Sequence, residues 1–171
     1  KVPAGYIALT DTISQTDTTI INILDDEELD KAREKYNKAH DNYPREEQDV
    51  TIEQLSSLDA VYRKNGLYAD FAIWGPFWHR MIKMKRFMGQ VLDEHGVLQT
   101  VEILGPPDFP AWESSYDLFG TAVIGHDVMG LGAHTGYHRK VKSYVMKYPG
   151  CWAIIYQADV RMRLERSRAI R

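Results

Sequence analysis

The sequence predicts a mainly α fold, about six helices with a small β hairpin. Three features lead there. Apolar residues recur every three or four positions in several segments, as in Trp152, Ile155, Tyr156, Val160 and Leu164, the spacing that gathers one face of a helix. Gly and Pro fall between those segments, at Pro44, Asn65-Gly66, Gly75-Pro76, Gly130 and Pro149-Gly150, where they act as stops or starts. Strands do not alternate with helices in the manner of a doubly wound sheet. With 171 residues, 44% of them apolar, and four Trp, ten Tyr and five Phe, the chain can fill one core.

Residues 1–24 are rich in Thr and Ile and are expected to form an extended N-terminal arm, since β-branched side chains are stiff in helices. Residues 25–171 are expected to form a single helical domain. From Asp25 the acids Asp25, Asp26, Glu27 and Glu28 complement a helix dipole, and Leu29, Ala32, Tyr36 and Ala39 draw a thin apolar stripe that ends before Pro44. Thr51 and Gln54 have capping-box spacing ahead of Leu55, Leu58, Val61 and Tyr62, with Asn65-Gly66 as the stop. Pro76 suits a helical first turn, and Phe77, Met81, Met84 and Met88 follow at helical spacing. A hairpin is expected around Glu94-His95-Gly96, with Val97 to Leu104 partly alternating. The run GPPDFPAW holds three prolines in five residues, a rigid loop. Trp112, Tyr116, Phe119, Val123 and Val128 mark the next helix, then Tyr137, Val141, Tyr144 and Val145, then the Trp152 stripe. The expected core is Trp74, Phe77, Met81, Trp112, Tyr116, Phe119, Trp152, Ile155 and Tyr156.

Charge is unevenly spread. Residues 1–60 carry 14 acidic and 6 basic side chains, a balance of −8, and the remainder carries 10 and 15, a balance of +5. No apolar run reaches the roughly 18 residues a bilayer span needs, so no membrane contact is expected. With no secretory pattern in these residues and one Cys, an intracellular setting, cytoplasmic or nuclear, is expected. Lys1 at the start and the arginine-rich end suggest trimming from a larger product. Cys151, among apolar neighbours, reads as a buried small hydrophobe.

No catalytic signature emerges, and no cofactor or metal is expected. There is no GxSxG elbow, and GLGAHTG lacks the Lys-Ser/Thr end of a phosphate loop. His134 and His138 are four apart, but Ala133 and Thr135 flank the first where a zinc protease would place Glu. Gly130, Gly132 and Gly136 put His134 in a loop and favour surface or capping histidines. A metal-dependent hydrolase built on His126, Asp127, His134 and His138 is the weakest alternative. Glu102 and Asp108 lack the Lys that a nuclease pair would need.

Two basic features stand out as nucleic-acid-binding candidates. One comprises Arg80, Lys83, Lys85 and Arg86, off the Met stripe. The other comprises Arg161, Arg163, Arg166, Arg168 and Arg171, on the face opposite the Trp152 stripe, against a single Glu165. An acidic first third meeting a basic last third on neighbouring subunits accounts for the same charges.

The strings WGPFWHR, LQTVEILGPPDFPAW and CWAIIYQADVRMRLERSRAIR resemble a large uncharacterised family present in many copies in some unicellular algal genomes, beside mobile-element sequences. Its pattern is a WGP segment before a basic helix, a GPxxFxxW segment before another helix, and a closing W-x-x-x-Y-x-A-D-x-x-x-R-x-E helix. Trp112, Trp152, Tyr156, Ala158, Asp159, Arg163 and Glu165 fall on those positions, and the resemblance covers roughly residues 68–171. It implies a gag- or capsid-like structural protein of a mobile element, non-enzymatic and self-associating. The alternative is a monomeric nucleic-acid-binding module using the arginine-rich final helix.

Overall fold

A computed structural model describes residues 24–65, 71, 74–76 and 85–169, with side chains described except at Ser57, 60–65 and 165–169. The described residues form five helices and a two-stranded hairpin: α1 (Asp26–His40), α2 (Ile52–Asn65), β1 (Arg86–Leu92), β2 (Leu98–Leu104), α3 (Phe109–Gly125), α4 (Leu131–Lys147) and α5 (Trp152–Ala169). The fold is mainly α with a small hairpin, as expected. The expected arm lies outside the described residues apart from Leu24, which is buried and donates its N–H to Ser56 Oγ at 3.1 Å.

α1 starts on a capping box: Asp25 accepts from Glu28 N at 2.9 Å, and Glu28 accepts from Asp25 N at 3.3 Å, satisfying two otherwise orphaned donors. Leu29, Ala32 and Tyr36 are buried, while Ala39 is exposed. The helix stops before Pro44, because Asp41 turns left-handed at φ 56. The forked pairing of Arg33 Nε and Nη2 with Asp49, at 3.0 and 2.6 Å, ties α1 to the approach of α2. The Thr51–Gln54 capping box forms as its spacing predicts, at 3.1 and 3.4 Å.

The helix expected through Met88 ends differently. Its first part falls on 77–84, outside the described residues, and Phe87 and Met88 lie in β1. A strand wins here because Phe87, Gly89 and Val91 alternate inward and pair with Ile103, Val101 and Gln99, which period-two burial rewards and a helix would scatter. The turn falls where expected. Asp93 accepts from His95 N and Val97 N, both at 2.9 Å, and from Gln99 Nε2 at 2.8 Å. These bonds, Val97 N–H foremost, hold its carboxyl below the usual carboxylate range.

α3 is the central helix. Asp108 caps it by accepting from Ala111 N at 2.9 Å, and Trp112, Tyr116, Phe119 and Val123 are all buried. α1 packs on one side of it and α4 on another. α5 lies across the inward face of the hairpin through Ala153 and Tyr156, the latter edge-on to Phe87 at 6.3 Å. Gly105 makes this approach feasible. Its φ is +147 and an added Cβ would lie 2.1 Å from the Tyr156 ring, so no other residue fits. Trp152 then clamps the proline loop by donating Nε1–H to Pro106 O at 2.8 Å.

Two expectations are corrected here. His134 lies not in a loop but in the first turn of α4, whose cap is Gly130. Gly132 and Gly136 sit on its outer side with open space beyond, so they cost helix propensity without breaking it. Cys151 is exposed rather than buried, because Gly150 at φ +83 turns the chain and places Cys151 at the start of α5, where its carbonyl accepts from Ile154 N and Ile155 N, both at 3.1 Å. Of the expected core, Trp74, Trp112, Tyr116, Phe119 and Tyr156 are buried, Trp152 and Ile155 are half-buried against them, and Phe77 and Met81 lie outside the described residues.

Candidate functional site

Of the nine candidate cations, the four whose side chains are described do not share one surface. Arg80, Lys83 and Arg171 lie outside the described residues, as do the side chains of Arg166 and Arg168. Arg86 is exposed and pairs with Glu102 across the hairpin at 3.2 Å. Arg161 is exposed on α5. Lys85 and Arg163 point inward, 7% and 9% exposed, away from any phosphate backbone.

Lys85 Nζ donates to Ser115 Oγ at 2.9 Å and to Trp74 O at 3.3 Å. The WGP segment thereby acquires a structural meaning. Gln54 Nε2 donates to Gly75 O at 3.2 Å, and a Cβ at Gly75 would lie 2.7 Å from the Lys85 ammonium. A buried ammonium needs such partners to offset its lost hydration.

Arg163 belongs to a second buried centre. Asp159, 3% exposed, accepts from Arg163 Nε at 3.0 Å, from Trp112 Nε1 at 3.0 Å and from Tyr137 OH at 2.8 Å. Arg163 Nη2 approaches the same carboxylate at 2.9 Å, and its guanidinium stacks 3.8 Å from the ring centre of buried Phe71. One carboxylate thus joins α3, α4 and α5. Burial pushes the Tyr137 phenol up, so it stays a donor. The sequence placed Arg163 on the outer face with its neighbours. Its i, i+4 relation to Asp159, with Tyr156 and Ala153 on the same turn-by-turn line, is the signal that it faces inward.

Three histidines, His40, His134 and His138, gather more closely than the sequence suggested. Tyr36, His40, Asp117, His134 and His138 line a cavity of about 220 Å³ between α1, α3 and α4. Each ring is engaged. His134 Nε2 meets Tyr116 O at 3.2 Å and the ring stacks on Tyr116 at 4.4 Å. His40 Nδ1 meets Tyr36 O at 3.3 Å. His138 Nε2 bonds Glu113 at 2.7 Å. Burial drives His134 down to about 4, so it is neutral at physiological pH, and burial raises Asp117. The hydrolase set is dispersed: His126 faces Leu55 O at 3.5 Å and Asp127 pairs with Lys35. Among the described residues no group of three or more His, Cys, Asp or Glu is placed to hold a metal ion, and none of their helices is long and apolar enough to cross a membrane.

Exposed apolar side chains fall in two groups, one at the hairpin and one along the end of α4 and the start of α5, where Tyr144, Met146, Tyr148 and Ile154 are exposed. Met88, Leu92, Val97, Leu98 and Leu104 are 65, 60, 56, 55 and 48% exposed. The register sets Leu92 opposite Leu98, with Met88 two pairs away on the same outward face. Sequence reasoning located the hairpin but missed this surface, because both faces of its strands carry apolar residues and the alternation that separates inside from outside is blurred. Compared with protein-family models, with curated proteins and with solved structures, the chain finds no match.

Proposed function

We propose that this chain is a non-enzymatic assembly domain, gag- or capsid-like and of mobile-element origin, whose work is to associate with copies of itself. The observation that carries this reading is the set of exposed apolar side chains on the hairpin, with Met88, Leu92, Leu98 and Leu104 on its outward face and Val97 at its turn. Exposed apolar side chains gathered on one element serve contact rather than chemistry. The interior supports the same reading. Among the described residues, the large aromatics, His134 and the buried Asp159–Arg163 pair pack helices against one another. The algal resemblance supplies the mobile-element setting. Contact with nucleic acid, within that assembly, falls to exposed cations such as Arg86 and Arg161.

Sedimentation equilibrium from micromolar to millimolar concentration tests the proposal. Concentration-dependent dimers or larger species are expected, with interfaces burying about 1,000 Å² or more. A protein that stays monomeric throughout refutes it.

A further inference from the structure

The open edge of β2 identifies where such copies would meet. Asp93 N–H donates to Val97 O at 3.0 Å and Gly105 N–H to Lys85 O at 2.9 Å. With the observed register, the inward hydrogen-bonded pairs are therefore Val91–Gln99, Gly89–Val101 and Phe87–Ile103. The alternate residues of β2, Leu98, Thr100, Glu102 and Leu104, turn their N–H and C=O groups away from β1. No hydrogen bond from elsewhere in the described chain reaches those groups. Edge strands that stay solitary are usually blunted by Pro, Lys or a bulge. β2 has none of these over LQTVEIL, and its single charge is Glu102.

Resting on the self-association reading, we infer that β2 pairs antiparallel with β2 of a second copy, about a two-fold axis at Val101, to make a four-stranded intermolecular sheet. Charge selects that register. Centred on Val101, Glu102 faces the second copy's Thr100, whereas centring on Glu102 would oppose two carboxylates. Apolar matching selects it as well. Leu98 falls opposite the second copy's Leu104, so Leu92, Leu98 and that Leu104 form one cross-strand row on the outward face, and symmetry repeats the row. Four pairs, each exchanging two N–H···O bonds, become available. The pairing also carries the second copy's Val97, on the same side as Ile103, towards a groove of about 400 Å³ lined by Ile103, Leu104, Tyr156 and Val160. Arg161 lies on the rim of that groove, and the arriving hairpin tip bears Asp93 and Glu94. β1 offers a poorer edge, since Gly89 lies at its centre.

Thr100→Pro tests this directly. The Thr100 N–H points outward, so Pro removes an intermolecular donor while leaving the hairpin's own ladder intact. Sedimentation of the full chain should show dimerisation weakened at least tenfold, with an unchanged circular dichroism spectrum, while Thr100→Ala dimerises normally. A folded Thr100→Pro protein that dimerises as tightly as the parent overturns the edge pairing and leaves self-association standing. A parent that never dimerises removes both. Cross-linking decides the matter if the proline variant does not fold. In a Cys151→Ser background, mixing Thr100→Cys with Glu102→Cys protein should give a disulfide dimer under mild oxidation, because the paired Cα atoms would lie about 5.5 Å apart. Thr100→Cys alone should not, since its own copies would lie about 8 Å apart. Absence of the mixed cross-link overturns the register.

Discussion

Replacing Asp159 with Ala removes one acceptor and strands three donors on three helices. Arg163, 9% exposed, loses the buried carboxylate that Nε and Nη2 both meet, and breaking such a buried pair costs about 3–5 kcal/mol. The Trp112 indole N–H, fully buried, loses its partner at 3.0 Å, adding about 1–3 kcal/mol. Tyr137 is half-buried and can turn towards water, so it adds less. The expected total of about 4–8 kcal/mol is comparable with the whole stability of a small domain, about 5–15 kcal/mol. Arg163→Met acts through the same pair but costs less, because Trp112 and Tyr137 still donate to Asp159. The double variant Asp159→Ala, Arg163→Met removes both charges together and should recover part of the loss. Urea unfolding of the parent, both single variants and the double variant gives the coupling energy of the pair. A coupling of at least about 2 kcal/mol is expected. If Asp159→Ala loses under about 1 kcal/mol and the cycle closes without coupling, the Asp159 centre does not join the helices as described.

Protonation gives an independent measurement. His134 is held at about 4 by burial, below the usual imidazole value of 6.5, and the unfolded chain therefore binds its proton first as pH falls. Stability is complete above the unfolded value and declines between pH 6.5 and pH 4, by about 3 kcal/mol. His134→Phe should flatten that part of the stability profile relative to the parent, and a variant with the parent's slope refutes the assignment. Gly105→Ala combines a left-handed φ with a Cβ inside the Tyr156 ring and should cost about 2–5 kcal/mol, read from thermal unfolding. Any affinity for nucleic acid should fall as salt rises, and Arg161→Gln should reduce the salt slope by about 1. Arg163→Met, if folded, should leave that slope unchanged, whereas a reduced slope would place Arg163 on the surface.

Much of the helical framework was legible in the sequence because helix signals are local. Thr51 and Gln54 close their box within one turn, Asp25 to Glu28 gather acids where a dipole wants them, and Trp112, Tyr116, Phe119 and Val123 share a face by spacing alone. The hairpin turn at Asp93 to Gly96 is equally local. What spacing could not supply was the partner of each polar group. Arg161 and Arg163 are two residues apart in an arginine-rich run, yet one is exposed and the other is stacked on Phe71 and bonded to Asp159. Lys85 sat in a basic string and turned inward because Ser115 and the Trp74 carbonyl, distant in sequence, stand ready to receive its ammonium. His134 became a helical, buried, neutral ring for the same reason, through Tyr116 on another helix. Local periodicity and capping thus determined which elements form. Only the tertiary packing decided which charges are spent inside, since burying a charge depends on partners that the chain brings together from far apart.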